Sequence, residues 1–237
     1  ADCARAAGAP YIAGDIGPTG SLLEPMGTLS FDEAYDIFAE QVRAAVAAEC
    51  DIILIETMAD LREAKAALLA ARENSTLPVF VTMTFGEDGR TFLGTTPEIA
   101  AEVLSSLGAQ AVGFNCSLGP AELTGAARAM ASRVRCPLMA QPNAGLPHME
   151  NGETVFDVGP EEFARAMGPL LDAGASIVGG CCGTSPRSIE LLSKELARRG
   201  KPTPRAFKPA CVLASAQEAV VLEKGKHAVA VIGERIN

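Results

Sequence analysis

Apolar residues along the 237-residue chain fall into two alternating textures. Short, nearly unbroken runs rich in Val, Ile and Phe are separated by longer stretches in which apolar and charged positions recur at helical spacing. The runs are Tyr11-Ile12-Ala13-Gly14-Asp15, Asp51-Ile52-Ile53-Leu54-Ile55-Glu56, Val79-Phe80-Val81-Thr82-Met83-Thr84, Ala111-Val112-Gly113-Phe114-Asn115-Cys116, Leu138-Met139-Ala140-Gln141-Pro142-Asn143 and Ser176-Ile177-Val178. Each reads as a strand with both faces covered, the pattern of a parallel sheet. The stretches between them carry helix start signals. Ser30 with Glu33 forms a capping box for a helix running to about Ala48, and Thr96 with Pro97 and Glu98 opens another. Further helices are predicted over 60–74, from near Pro120, from about Pro160 after a loop holding His148, Asn151 and Gly152, and over 186–199. The alanine-rich start, ending at Gly8, reads as the last turns of a helix. Near the other end, residues 214–222 read as a short helix and 228–233 as a strand.

Strands alternating with helices imply parallel pairing through right-handed crossovers, hence a doubly wound sheet or a (β/α)8 barrel. Polar or reactive groups close nearly every run at its C-terminal end: Asp15, Glu56, Thr84, Cys116, Asn143 and Cys181. In a barrel those ends meet at one mouth, whereas in an open sheet they spread along an edge. The expected fold is therefore an α/β TIM-type barrel. Six units are two short of eight, so the barrel reads as lacking its first two strands, with the helix at Ala1 where they would attach. The domain reading follows: 1–200 a barrel incomplete at its N-terminal side, 201–228 a linker opened by three prolines within 201–209, and 229–237 the start of a following domain.

Composition narrows the partners. A formal net charge of -9 leaves no basic surface to neutralise phosphates, which argues against nucleic acid and anionic membrane. No apolar run reaches the length of a membrane span, and Ala1-Asp2-Cys3-Ala4-Arg5 is no signal peptide, so a cytoplasmic protein is expected. Seven cysteines, an odd number, make reduced thiols the default over a disulfide scaffold.

The chemistry concentrates in Gly179-Gly180-Cys181-Cys182-Gly183-Thr184. Neighbouring strand side chains point to opposite faces, so two adjacent thiols share a target only if the strand breaks there, and Gly179, Gly180 and Gly183 permit that break. Paired thiols suit a soft metal such as zinc, which needs more ligands than these two. Cys116, at another strand end, is the nearest candidate. The rival reading is a glycine-rich phosphate cradle of the kind late barrel strands carry. Blander roles exist for the other candidates: Glu56 in an ion pair, Asp15 and Asn143 in turn chemistry, His148 and His227 as solvated loop residues. Cys3, Cys50, Cys136 and Cys211 read as packing residues.

Taken together, Gly113-Phe114-Asn115-Cys116-Ser117, Gln141-Pro142-Asn143-Ala144-Gly145-Leu146-Pro147 and Gly179-Gly180-Cys181-Cys182-Gly183-Thr184 resemble the homocysteine S-methyltransferase domain family, over about residues 11–199. The resemblance implies one zinc ion on Cys116, Cys181 and Cys182, with homocysteine sulfur in the open position and Asn143 able to occupy it when substrate is absent. It further implies that Glu56 holds the substrate ammonium and that Phe85 and Gly86 line the pocket; Asp15, an acid at a neighbouring strand end, is a further substrate-binding candidate on its position alone. The closing Val231-Ile232-Gly233-Glu234-Arg235-Ile236-Asn237 is similar to the entry of a folate-binding barrel. That points to the branch of the family whose methyl donor is methylcobalamin on another module, rather than stand-alone members using betaine or S-methylmethionine. The family's first strand, with its Asp-Gly and Gly-Thr elements that contact the amino acid, has no counterpart in this sequence, and neither does its second.

Overall fold

Six of the apolar runs pair edge to edge as parallel strands in the order in which they occur along the chain. They are β1 (Ala13–Ile16), β2 (Ile52–Met58), β3 (Val79–Met83), β4 (Ala111–Asn115), β5 (Leu138–Gln141) and β8 (Ala175–Val178). Two short strands, β6 (Pro147–Glu150) and β7 (Glu153–Phe156), make a separate antiparallel hairpin between β5 and the next helix. Helices α2 (Phe31–Ala47), α3 (Leu61–Asn74), α4 (Pro97–Ser106), α5 (Thr124–Ala131) and the pair α6 (Pro160–Ala166) and α7 (Gly168–Asp172) form the crossovers. The helix α1 (Asp2–Ala6) precedes β1 and α8 (Pro186–Arg199) follows β8. This computed structural model describes residues 1–150, 152–200 and 211–222.

A doubly wound sheet reverses its strand order at a switch point; this sheet never does. Its order is that of consecutive staves in a (β/α)8 barrel wall, with β1 and β8 as the edge strands among the described residues. Strand alternation sorts the side chains onto two faces. Ile53, Val79, Val81, Val112 and Leu138 share one face through the strand register and are at most 1% exposed. Phe38 and Val42 of α2, Leu68 of α3, Leu104 of α4 and Met130 of α5 join them in one core. Burying an aliphatic or aromatic side chain of this size stabilises the fold by roughly 1.5–3 kcal/mol. Asp15, Leu54 and Phe80 lie in register on the opposite face, the inner side of the barrel wall.

Helix starts follow their sequence signals. Ser30 caps α2 in a reciprocal capping box with Glu33, and Thr96 caps α4 ahead of Pro97. Ser185 caps α8, with Pro186 at its first turn.

Four expectations are corrected. Residues 214–222 form no helix: β9 (Cys211–Ala214) and β10 (Ala219–Leu222) pair as an antiparallel hairpin. Ser215 closes its turn by accepting from the backbone of Gln217 and Glu218, and Val212, Val220 and Val221 suit strands better than a helix. The turn also docks on the barrel, because Thr95 Oγ1 donates to Ala216 O at 2.7 Å. Second, the loop after β5 contains the β6–β7 hairpin, whose Asn151-Gly152 step is a strong hairpin signal in the sequence. Third, α5 begins at Thr124 rather than near Pro120. Fourth, Cys50 and Cys136 pack as expected, but Cys3 and Cys211 are exposed. Of the linker expected at 201–228, residues 211–222 form the β9–β10 hairpin, while 201–210 and 223–228, the strand expected at 228–233, the domain start expected at 229–237 and His227 lie outside the described residues.

Candidate metal centre

Cys116 poses a geometric problem that the backbone solves. Asn115 ends β4 with its side chain on the inner face, so one more extended residue would point toward the helices. Instead Cys116 and Ser117 take φ of 62° and 64°, left-handed values unusual for residues with a Cβ. The turn swings the Cys116 thiol to the mouth of the barrel, while its N–H donates to Gln141 O at 3.0 Å and ties the turn to β5.

Cys181 and Cys182 lie just beyond the end of β8, and β5's own continuation holds them there. Cys181 N donates to Pro142 O at 2.9 Å, Cys182 N to Asn143 Oδ1 at 3.1 Å, and Ala144 N to Cys182 O at 2.9 Å. Glycine is required at two of the three positions expected. A Cβ on Gly180 would meet Thr184 at 2.3 Å, and one on Gly183, whose φ is +77°, would meet the Phe156 ring at 2.3 Å. At Gly179 a Cβ would make only ordinary contact with Gln141, 3.5 Å away.

The three thiols come together. Cys116 Sγ lies 3.9 Å from Cys182 Sγ, Cys181 Sγ lies 4.0 Å from Cys182 Sγ, and all three fall within 4.8 Å of one another. Tetrahedral zinc with thiolates at about 2.3 Å sets its sulfurs about 3.8 Å apart. The cluster therefore fits a soft metal ion with little adjustment. Burial, reinforced by the neighbouring Cys116 and Cys182, pushes the Cys181 thiol up to about 12, and burial likewise raises Cys182. At neutral pH these two sulfurs carry protons unless a cation displaces them.

Of the other expected residues, Asn143 joins this corner directly. Asn143 is 3% exposed, and its Oδ1 already accepts the Cys182 N–H, so it shapes the corner as well as facing it. Glu56 and Asp15 lie near each other at the ends of β2 and β1. Burial and then the Asp15 charge raise the Glu56 carboxyl, and partial loss of hydration raises Asp15 against the opposing hydrogen bond from Ile16. Two like charges so arranged favour a cationic visitor. Phe85 is buried, and Gly86 donates to Arg90 O and accepts from Gly89 N within its own turn. Both residues line a cleft of about 300 Å³ against the ends of α4 and α5, and none of the three thiols, Glu56, Asp15 or Asn143 lines it, so the structure does not bring this pair to the metal corner.

Two further residues went unread in the sequence. Asn115, 1% exposed, bonds across to Thr57, Thr82 and Cys181; a strand-terminal asparagine reads as turn chemistry, so its reach was invisible. Gln141 Oε1 is buried with no hydrogen-bond partner among the described residues.

Residues 1–196 match the sequence profile of the homocysteine S-methyltransferase family. The chain belongs to that family. As a homocysteine S-methyltransferase domain it is 33% identical to the methionine synthases of Mycobacterium leprae (strain TN) and Mycobacterium tuberculosis (strain ATCC 25618 / H37Rv), over 96% of its own length. It spans only 20% and 19% of those two proteins. The barrel fold is shared with the homocysteine methyltransferase MmuM from Escherichia coli. The metallated form of MmuM superposes with a TM-score of 0.66 at 22% identity, over 82% of this chain and 66% of that one. Its apo form gives 0.65 over 82% and 69%. No helix among the described residues is long and apolar enough to cross a membrane.

Proposed function

We propose that this domain is the zinc-carrying, homocysteine-binding module of a methionine synthase, presenting homocysteine for S-methylation to methionine with methylcobalamin on another module as donor. The observation that carries this reading is the meeting of Cys116, Cys181 and Cys182 at zinc-compatible spacing at the barrel mouth. The likeness to mycobacterial methionine synthases across nearly the whole chain supports the choice of module. A folate-binding module would follow it in the full-length protein, in the cytoplasm.

Cys116, Cys181 and Cys182 would hold the ion. Zinc bound there would supply a cation that keeps the homocysteine sulfur deprotonated at neutral pH, while three anionic ligands leave that sulfur electron-rich. The protein's own residues do the rest. Glu56, with Asp15 beside it, takes the substrate ammonium, which removes the repulsion between the two carboxylates. Asn143 keeps a second lone pair on the oxygen that accepts from Cys182, which suits it to the fourth ligand position in the substrate-free state. In the methyl transfer the sulfur lone pair forms the new C–S bond. Methylcobalamin would supply the methyl group and take up the electron pair of the bond that breaks, the thiol proton having been lost to solvent.

Metal analysis tests this directly. The chain should bind about one zinc, and Cys116→Ala or Cys182→Ala should lower that affinity by several orders of magnitude, since two sulfurs fall below the three protein ligands that an open zinc site needs. Stoichiometric zinc retained by both variants at the same affinity would overturn the reading.

A further inference from the structure

We propose that Asn115 is a positioning residue that fixes the span between the ammonium holder and the sulfur corner, and thereby selects the chain length of the aminothiol. The inference rests on the homocysteine reading above and adds to it a determinant of specificity.

The amide of Asn115 is fully used. Its Oδ1 accepts from Thr57 N at 2.8 Å and from Thr82 Oγ1 at 2.8 Å, while Nδ2 donates to Thr57 Oγ1 at 2.7 Å and to Cys181 Sγ at 3.9 Å. A backbone N–H can only donate, so the Thr57 contact fixes which end of the amide is oxygen. The N–H groups must then face Thr57 Oγ1 and the sulfur.

Thr57 is the strained member of the set. Its φ of 63° is rare for a β-branched residue, and it sits where β2 takes up one extra residue between the pairs Ile55↔Val81 and Met58↔Met83. Such a conformation persists only where surrounding contacts over-determine it, and Asn115 grips both the N–H and the hydroxyl of this one residue. Glu56 is the residue immediately before it, inside the same bulge. One side of the amide thus sets the backbone that aims the Glu56 carboxylate, and the other touches a sulfur of the metal corner. An N–H directed at a ligating sulfur orients that ligand and draws charge from it. Ammonium site and sulfur site are consequently held at one separation by a single rigid side chain lying across β3.

The test uses the zinc-loaded 237-residue chain and compares affinities for L-homocysteine and L-cysteine, which differ by one methylene between sulfur and the ammonium-bearing carbon. Asn115→Ala should still bind one zinc, lose about ten-fold or more in homocysteine affinity, and narrow the homocysteine-to-cysteine ratio, as expected when two charge-assisted contacts lose their common anchor. In the cobalt-substituted protein the sulfur-to-metal charge-transfer band should move to lower energy, because a sulfur without its N–H partner is more electron-rich. Thr57→Val removes only the hydroxyl and covers the case in which Asn115→Ala does not fold. It should narrow the ratio about five-fold, the scale of one hydrogen bond, with Thr57→Ser restoring it. Metal-loaded variants that keep both the wild-type ratio and the wild-type cobalt spectrum would overturn this inference alone. A wild-type chain that binds neither zinc nor homocysteine would overturn the functional reading beneath it.

Discussion

At the scale of single residues, the decisive quantity is the protonation of the vicinal thiols. Cys181, raised to about 12, and Cys182, raised in the same direction, are protonated at pH 7, so both protons must leave before a metal ion can bind. Apparent zinc affinity should therefore rise by at least about two decades per pH unit between pH 6 and 8 from these two sulfurs alone. Competition against a chelator of known pH dependence measures the slope; a flat profile would mean that the thiols are already ionised. The metal-free protein follows the opposite sign. A thiol pKa raised from 9.0 to about 12 on folding contributes stability below the lower value and loses it as pH climbs toward the higher. Much of this chemistry was legible, because thiols, glycines and carboxylates at strand ends announce themselves by residue type and position. The left-handed turn at Cys116 and Ser117 was not, since nothing in those two residue types favours a positive φ. The turn exists because Cys116 N has an acceptor on β5 and its sulfur has neighbours on the loop after β8.

At the scale of elements, the hairpin of β6 and β7 bears on the metal corner as much as any barrel strand does. Phe156 at its end lies where a Cβ on Gly183 would have to go. Gly183→Ala should cost about 2–3 kcal/mol, from the left-handed backbone and the clash together, and weaken zinc binding at least ten-fold by displacing Cys182. Adding Phe156→Ala removes the two closest ring atoms but neither the Cβ contact nor the backbone cost, so only part of both losses returns. Thermal unfolding and zinc titration of the single and double variants check this, and full recovery in the double variant would show that the backbone cost is absent. The hairpin itself lay within reach of sequence reasoning through Asn151-Gly152. That of β9 and β10 was obscured by the leucine, alanines, glutamine and glutamate between its valines, which favour a helix locally until Thr95 anchors the turn.

For the whole molecule, the corner joins the ends of β4 and β8, which lie on either side of β5 in the sheet. A cation held there should stabilise the domain well beyond the site itself. Zinc at about a thousand times its dissociation constant adds roughly 4 kcal/mol, or some 8–16 °C in melting temperature for a domain of this size. Calorimetry with zinc and then with chelator should show that gain and its loss, while Cys116→Ala melts at one temperature in both. A wild-type chain indifferent to chelator would place the stability elsewhere. The amino-acid order by itself determined the alternation of strands and helices, the capped helix starts and the thiols at strand ends. Each of these is encoded over a few neighbouring residues, through side-chain period and local hydrogen bonding. Only the tertiary structure decided that the strands run in one unbroken order, that the Cys116 backbone turns back on itself, and that Asn115 reaches across β3 to Thr57. Those depend on register and curvature, which bring residues dozens of positions apart within hydrogen-bonding distance, and no local pattern carries that information.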